Sequence, residues 1–119
     1  MTILVVDDSS VMRKIVIRSL RQAGYGDHDV VEAEDGAQAL ESIRSSPPDV
    51  VLSDWNMPNI SGLELVTALR AEGNNVPFGF VTSESTAEQF AVGIGAGAAF
   101  LLSKPFTAED LAANLGAIL

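Results

Sequence analysis

Asp7 and Asp8 close the apolar run "ILVVDD", Asp54 closes "VVLSD", and Lys104 follows "AAFLLS". Thr82 and Ser83 end "FGFVTS" in the same way, while Glu34 and Asp35 follow a weaker run. A carboxylate at the mouth of an apolar run loses hydration unless something compensates it. Three crowded carboxylates raise one another's pKa unless a cation intervenes. A hard divalent ion such as Mg2+ suits one or two carboxylates plus waters and leaves positions open for phosphate oxygens. Lys104, the sole base after Arg70, would bind the same anion as the metal. A carboxylate is also a competent nucleophile that forms an acyl phosphate, and phosphoryl transfer asks mainly for positioning and charge neutralisation. Taken singly, each residue has a plainer use: Asp8 before a helix favours its dipole, and a strand-end lysine can reach water. Those uses do not account for Asp7, Asp8, Asp54 and Lys104 together.

Such residues need elements that bring them to one place. Residues 3–7, 29–34, 50–54, 78–83 and 98–103 are strand candidates, since short β-branched and aliphatic runs suit a sheet covered on both faces. Ser9 or Ser10 can cap a helix reaching about Gly24, with Val11, Met12, Ile15, Val16 and Leu20 at helical spacing. Further helices are expected over 36–45, ending before Pro47-Pro48, over 62–73, over about 86–96 and over 107–119. In the last, Thr107 with Asp110 three residues on forms a capping-box pattern. Five βα units with short connections imply a doubly wound α/β fold, a parallel sheet with helices on both faces, and one domain over 1–119. All strand C-termini then open on one edge, where ligands bind.

Composition removes several function classes. The net charge of −9 argues against nucleic-acid or anionic-membrane partners, which need basic surface. No apolar run approaches a membrane span, and "MTILVVDDSS" lacks the basic start of a signal peptide. The chain has no cysteine, which excludes thiolate metal sites and fits a cytoplasmic protein. His28 stands alone in an expected loop, so nothing favours zinc. Arg13, Lys14, Arg18 and Arg21 cluster on the first helix, where a solvated charged face is expected. "GIGAGA" (93–98) fits a dinucleotide pattern but ends a helix and precedes a strand, the reverse of what that motif requires. No G-x-x-x-x-G-K-[ST] loop occurs.

An acidic pair after the first strand, "DWNMPNISG" after the third, a Thr ending the fourth and "KPF" after the fifth together resemble the response-regulator receiver domain over essentially the whole chain. "SDWNMPN", with no output domain following, is most similar to single-domain chemotaxis (CheY-like) regulators. The resemblance implies a flavodoxin-like (βα)5 fold with strand order 2-1-3-4-5 and a role for each matching residue. Asp54 would accept a phosphoryl group from a histidine kinase. Asp8, Asp54 and the backbone carbonyl of Asn56 would hold Mg2+, with Asp7 acting mainly through a water. Thr82 would hydrogen-bond the phosphoryl group and Lys104 would pair with it. Asn56 and Glu84 would tune its hydrolysis. Phe90 falls where similar proteins dock partners, and core packing is the equal alternative for it. Pro105 permits a cis bond. A monomer that catalyses only its own phosphorylation and dephosphorylation is implied, passing its signal to a target such as a flagellar motor switch or a kinase.

One position departs from the family. Leu101 stands three residues before the lysine, where Tyr or Phe is usual, and Phe100 cannot replace it because neighbouring strand residues face opposite ways. Phosphorylation chemistry is expected to survive this change, while output must proceed without the aromatic switch. Two other classes compete. A haloacid-dehalogenase-type phosphatase needs D-x-D after the first strand, and Asp7-Asp8-Ser9 lacks it. A flavin binder needs a hydroxyl-rich phosphate loop there, which is also missing.

Overall fold

Asp7, Asp54 and Lys104 each stand one residue past the end of a strand. In the computed structural model, which describes residues 1–83 and 85–119, β1 covers Thr2–Val6, β2 Asp29–Ala33, β3 Val50–Ser53, β4 Phe78–Thr82 and β5 Phe100–Ser103. All pair in parallel in the order β2-β1-β3-β4-β5, the order that the family resemblance implies. Val6 lies opposite Ser53, and Thr82 opposite Ser103. The backbone ladder runs on past the strands: Asp54 N–H donates to Val6 O at 2.9 Å and Lys104 N–H to Thr82 O at 2.8 Å. Adjacent strand ends therefore deliver Asp7, Asp54 and Lys104 to one edge.

The helices are α1 (Ser10–Leu20), α2 (Gly36–Ser45), α3 (Gly62–Ala71), α4 (Ala87–Ala96) and α5 (Ala108–Ile118). Successive strand residues point to opposite faces, and the core divides accordingly. Ile3, Val5, Leu52, Val81 and Phe100 meet Val16 and Leu20 of α1 and Leu111 and Leu115 of α5. Leu4, Val6, Val51, Phe78 and Phe80 meet Ala39 and Ile43 of α2 and Leu65, Val66 and Leu69 of α3. Phe100 fills space left by its strand neighbour Gly79, where a Cβ would lie 2.2 Å from the ring.

Helix ends follow local chemistry. Ser9 caps α1 through Met12 N–H, and Thr107 with Asp110 forms the expected capping box of α5. Ser61 with Glu64 and Thr86 with Gln89 form two more, on α3 and α4. Beyond Leu20 the first helix continues as a wider π turn over Arg21–Tyr25, with Gly24 at φ +99° turning the chain out. β5 starts at Phe100 rather than Ala98, because Gly97 leaves α4 in the left-handed region and the two alanines after it complete the connection. Arg70 ties this corner together: its guanidinium donates to the carbonyls of Asn74, Val76 and Gly97, each at 2.8 Å.

Candidate functional site

The acid edge is built as a tight set of partners. Asp7 is buried, and both of its carboxylate oxygens are engaged: Ser9 N–H donates to Oδ1 at 2.9 Å and Lys104 Nζ to Oδ2 at 2.9 Å. The same ammonium lies 3.5 Å from Asp54 Oδ2, with the side chains of Lys104 and Asp54 only 11% and 13% exposed. Asp54 Oδ1 accepts from Trp55 N–H at 2.7 Å. Thr82 is fully buried at the end of β4. Burial pushes the Asp54 carboxyl above its ordinary range; the Lys104 ammonium pulls it back, the Asp7 charge pushes it further up, and Trp55 N–H and the Thr82 side chain favour the ionised form. The Lys104–Pro105 bond is cis.

Asp7, Asp8 and Asp54 each place one oxygen within 4.8 Å of the others. Three oxygen donors around a largely buried edge, with no sulfur or imidazole, are the donor set of a hard divalent cation. A cation there would also relieve the desolvation and mutual repulsion acting on Asp54. The residues present fit Mg2+. Asp8 and Asn56 are exposed, open to solvent as a partly hydrated ion requires.

Not every acid joins this set. Asp35 caps α2 through Gln38 N–H and accepts from Asn59 Nδ2 at 3.3 Å, so it serves the helix and the loop beside it. His28 lies just before β2, its ring nitrogen 3.1 Å from the N-terminal amine. Leu101 is partly buried and packs on the α3 side of the sheet, opposite the side that takes Phe100. Phe90 is 50% exposed, which resolves the choice between core and surface in favour of surface. Glu84 lies outside the described residues.

Three residues contribute in ways that the sequence reading did not supply. Gly62 opens α3 directly beneath the loop after β3: its N–H donates to Trp55 O at 2.8 Å, and a Cβ would stand 2.1 Å from Asp54 O. Only glycine permits that approach. The Trp55 ring packs on Phe80 with centroids 4.6 Å apart, and Gly93 of α4 sits against both rings. Arg13 corrects the expectation of a solvated basic face, being only 9% exposed and sharing the buried face of α1 with Val16 and Leu20. Its spacing of three residues from Val16 was the available signal.

Comparison with known proteins agrees with this geometry. The response regulator receiver domain family matches residues 3–116. Chemotaxis protein CheY1 of Helicobacter pylori is 38% identical over 122 residues, covering 100% of this chain and 97% of its own length. Transcriptional regulatory protein PrrA of Mycobacterium tuberculosis is 40% identical over 98% of this chain, but the chain spans only 49% of that relative's length. The solved structure of Vibrio cholerae chemotaxis protein CheY4 superposes with a TM-score of 0.86 at 36% identity, covering 99% of this chain and 98% of its own. A sheet edge that gathers its acids, threonine and lysine from four strand ends, in a chain matched from residue 3 to residue 116, has one consistent reading: the chain belongs to the response regulator receiver domain family.

Proposed function

We propose that the chain is a phospho-switched signalling domain that accepts a phosphoryl group from a histidine kinase on Asp54. The observation that carries this reading is the convergence of Asp54 with Asp7, Asp8 and Lys104 at one sheet edge. A carboxylate oxygen of Asp54 forms the new O–P bond as the P–N bond of a phosphohistidine breaks, and the imidazole departs. Asp8, Asp54 and the Asn56 carbonyl would hold Mg2+, with Asp7 acting mainly through a water, and the ion would offset charge on the transferring oxygens. Lys104 supplies a second positive charge and can pass from Asp7 toward the arriving phosphoryl group. The Thr82 hydroxyl offers a hydrogen bond, and Trp55 N–H keeps the Asp54 carboxylate oriented.

An apolar groove of about 370 Å3 lined by Met12, Ile15, Pro105 and Phe106 flanks Lys104, giving a donor domain a surface beside the reacting carboxylate. Output would pass through the half-exposed Phe90 and its helix to a target protein, with Leu101 filling the space that Thr82 vacates. Asn56 and Glu84 would set how fast water removes the phosphoryl group. The likeness to CheY1 and CheY4 supports chemotaxis as the pathway.

A small acyl phosphate and Mg2+ should label the protein without any kinase, adding one phosphoryl group by intact mass. Labelling should be lost in Asp54→Asn and in the absence of metal. Asp54→Asn labelled at the wild-type rate would place the acceptor elsewhere.

A further inference from the structure

We infer that Arg13 is the positioning residue of the metal site: it fixes the main chain of Asp7 from below, so that the acidic loop is held in binding geometry before a cation arrives. This assignment rests on the metal reading of the Asp7, Asp8 and Asp54 cluster.

Arg13 extends from the first turn of α1 under the loop that joins β1 to the helix. Its Nη1 donates to the Asp7 carbonyl at 2.7 Å in a buried contact, and its Nε donates to Glu32 Oε1 on β2 at 2.9 Å. Asp7 is thereby bound at every polar atom. Its N–H donates to Ala33 O at 3.2 Å, its carbonyl accepts from Arg13, and its two carboxylate oxygens accept from Ser9 N–H and Lys104 Nζ. Lys104 has to be able to leave when an anion enters, and the Ser9 contact is local to the loop. The Arg13 contact is the one that ties the loop to both a helix and a strand of the scaffold. A rigid guanidinium fork suits that task, because one group can donate in two fixed directions.

The charge of Arg13 acts the other way. A cation close to the site repels Mg2+, so its removal on electrostatic grounds alone should tighten metal binding. Two observations make positioning the larger effect. The guanidinium contacts the carbonyl of Asp7 and no carboxylate of the cluster, and its charge is paired with Glu32. Without Arg13 the buried carbonyl loses its donor, and the loop that carries Asp7 and Asp8 loses its side-chain link to α1 and, through Glu32, to β2, keeping the Asp7 N–H bond to Ala33 O and the Ser9 cap. Partners that orient metal ligands in this manner typically account for about 10- to 100-fold in affinity.

Mg2+ titrations by calorimetry and by Trp55 fluorescence, run well below the unfolding temperature, test the assignment. Arg13→Met, which keeps the apolar stem, should bind Mg2+ about tenfold more weakly or worse. Arg13→Lys, which keeps the charge without the fork, should also be weakened, though less. An arginine that only stabilised the fold would lower the unfolding temperature and leave the affinity of the folded protein unchanged. Affinity equal to or tighter than wild type in Arg13→Met, or full rescue by Arg13→Lys, overturns the proposal. If Arg13→Met does not fold, the Lys variant decides by the same criterion. Asp8→Ala separates the two layers: if it binds Mg2+ like the wild type, the metal reading itself fails and the Arg13 assignment falls with it.

Discussion

Helices α3 and α4 are neighbours of equal length, ten residues each, and both open with a capping box. There the likeness ends. α3 buries Gly62, Leu65, Val66 and Leu69, whereas α4 buries only Gly93 and leaves Phe90, Val92 and Ile94 substantially exposed. Packing of an apolar face supplies most helix stability in proteins, so α3 is held by the core and α4 by its ends, Gly93 and the partly buried Ala96. The difference matches their places. α3 starts directly under Asp54, which the proposed function needs held in place, while α4 lies on the path by which the proposed signal would leave the site. Elements that move are drawn from the weakly held part of a structure.

The largest expected effect tests this contrast by truncating one large apolar side chain on each helix, the larger of the two on α4. Leu65→Ala on α3 should cost about 2–5 kcal/mol in urea unfolding, while Phe90→Ala on α4 should stay within about 0.5 kcal/mol of wild type. A comparable loss at both positions would erase the distinction. Next come the glycines. Gly62→Ala drives a methyl group into the Asp54 carbonyl and should cost about 1–3 kcal/mol, the usual penalty of overpacking. Gly95→Ala meets nothing within 4 Å and should stabilise the protein by up to roughly 1 kcal/mol. Thermal unfolding of the two variants should therefore shift in opposite directions, and a stabilised Gly62→Ala would show that α3 is not pinned as described.

The smallest effect concerns Asp54 itself, at the end of β3 beside the start of α3. Burial, the first cause, raises its pKa in the folded state, so the native protein binds this proton more tightly than the unfolded chain. Ionised Asp54 therefore lowers stability at neutral pH in metal-free buffer. The penalty fades as pH falls through the raised native value toward the ordinary carboxylate value, below which both states are protonated. Asp54→Asn should accordingly be more stable than wild type at pH 7 with chelator present, and the gain should shrink on acidification. A gain that grew toward low pH would contradict the sign of the shift.

The acid edge was legible in the sequence because Asp7, Asp54 and Lys104 each interrupt an apolar run at its end, and a parallel sheet sends all such ends one way. The strand order came from the family resemblance, since spacing alone does not choose among orders. Gly62 was visible as the start of a helix, but its approach to Asp54 O depends on how α3 meets the loop after β3, which no local pattern encodes. Arg13 was grouped with its charged neighbours by composition, although its place on the Val16 and Leu20 face separated it from them. α4 is apolar nearly all round, which ordinarily marks a buried helix; the sheet covers only its Gly93 side, and the remaining apolar residues stay at the surface.

The hydrogen bond from Arg70 to the Gly97 carbonyl anchors the C-terminal end of α4, so a tilt of this helix would have that end as its fulcrum. Its ten residues extend about 15 Å from that end at the usual helical rise. A tilt of ~10° about Gly97 leaves the C-terminal end in place and carries Thr86 through ~2.6 Å by the same helical geometry. The arc would be greatest at the Thr86 end and smallest where the helix joins β5, so any displacement along α4 would be graded by distance from the arginine.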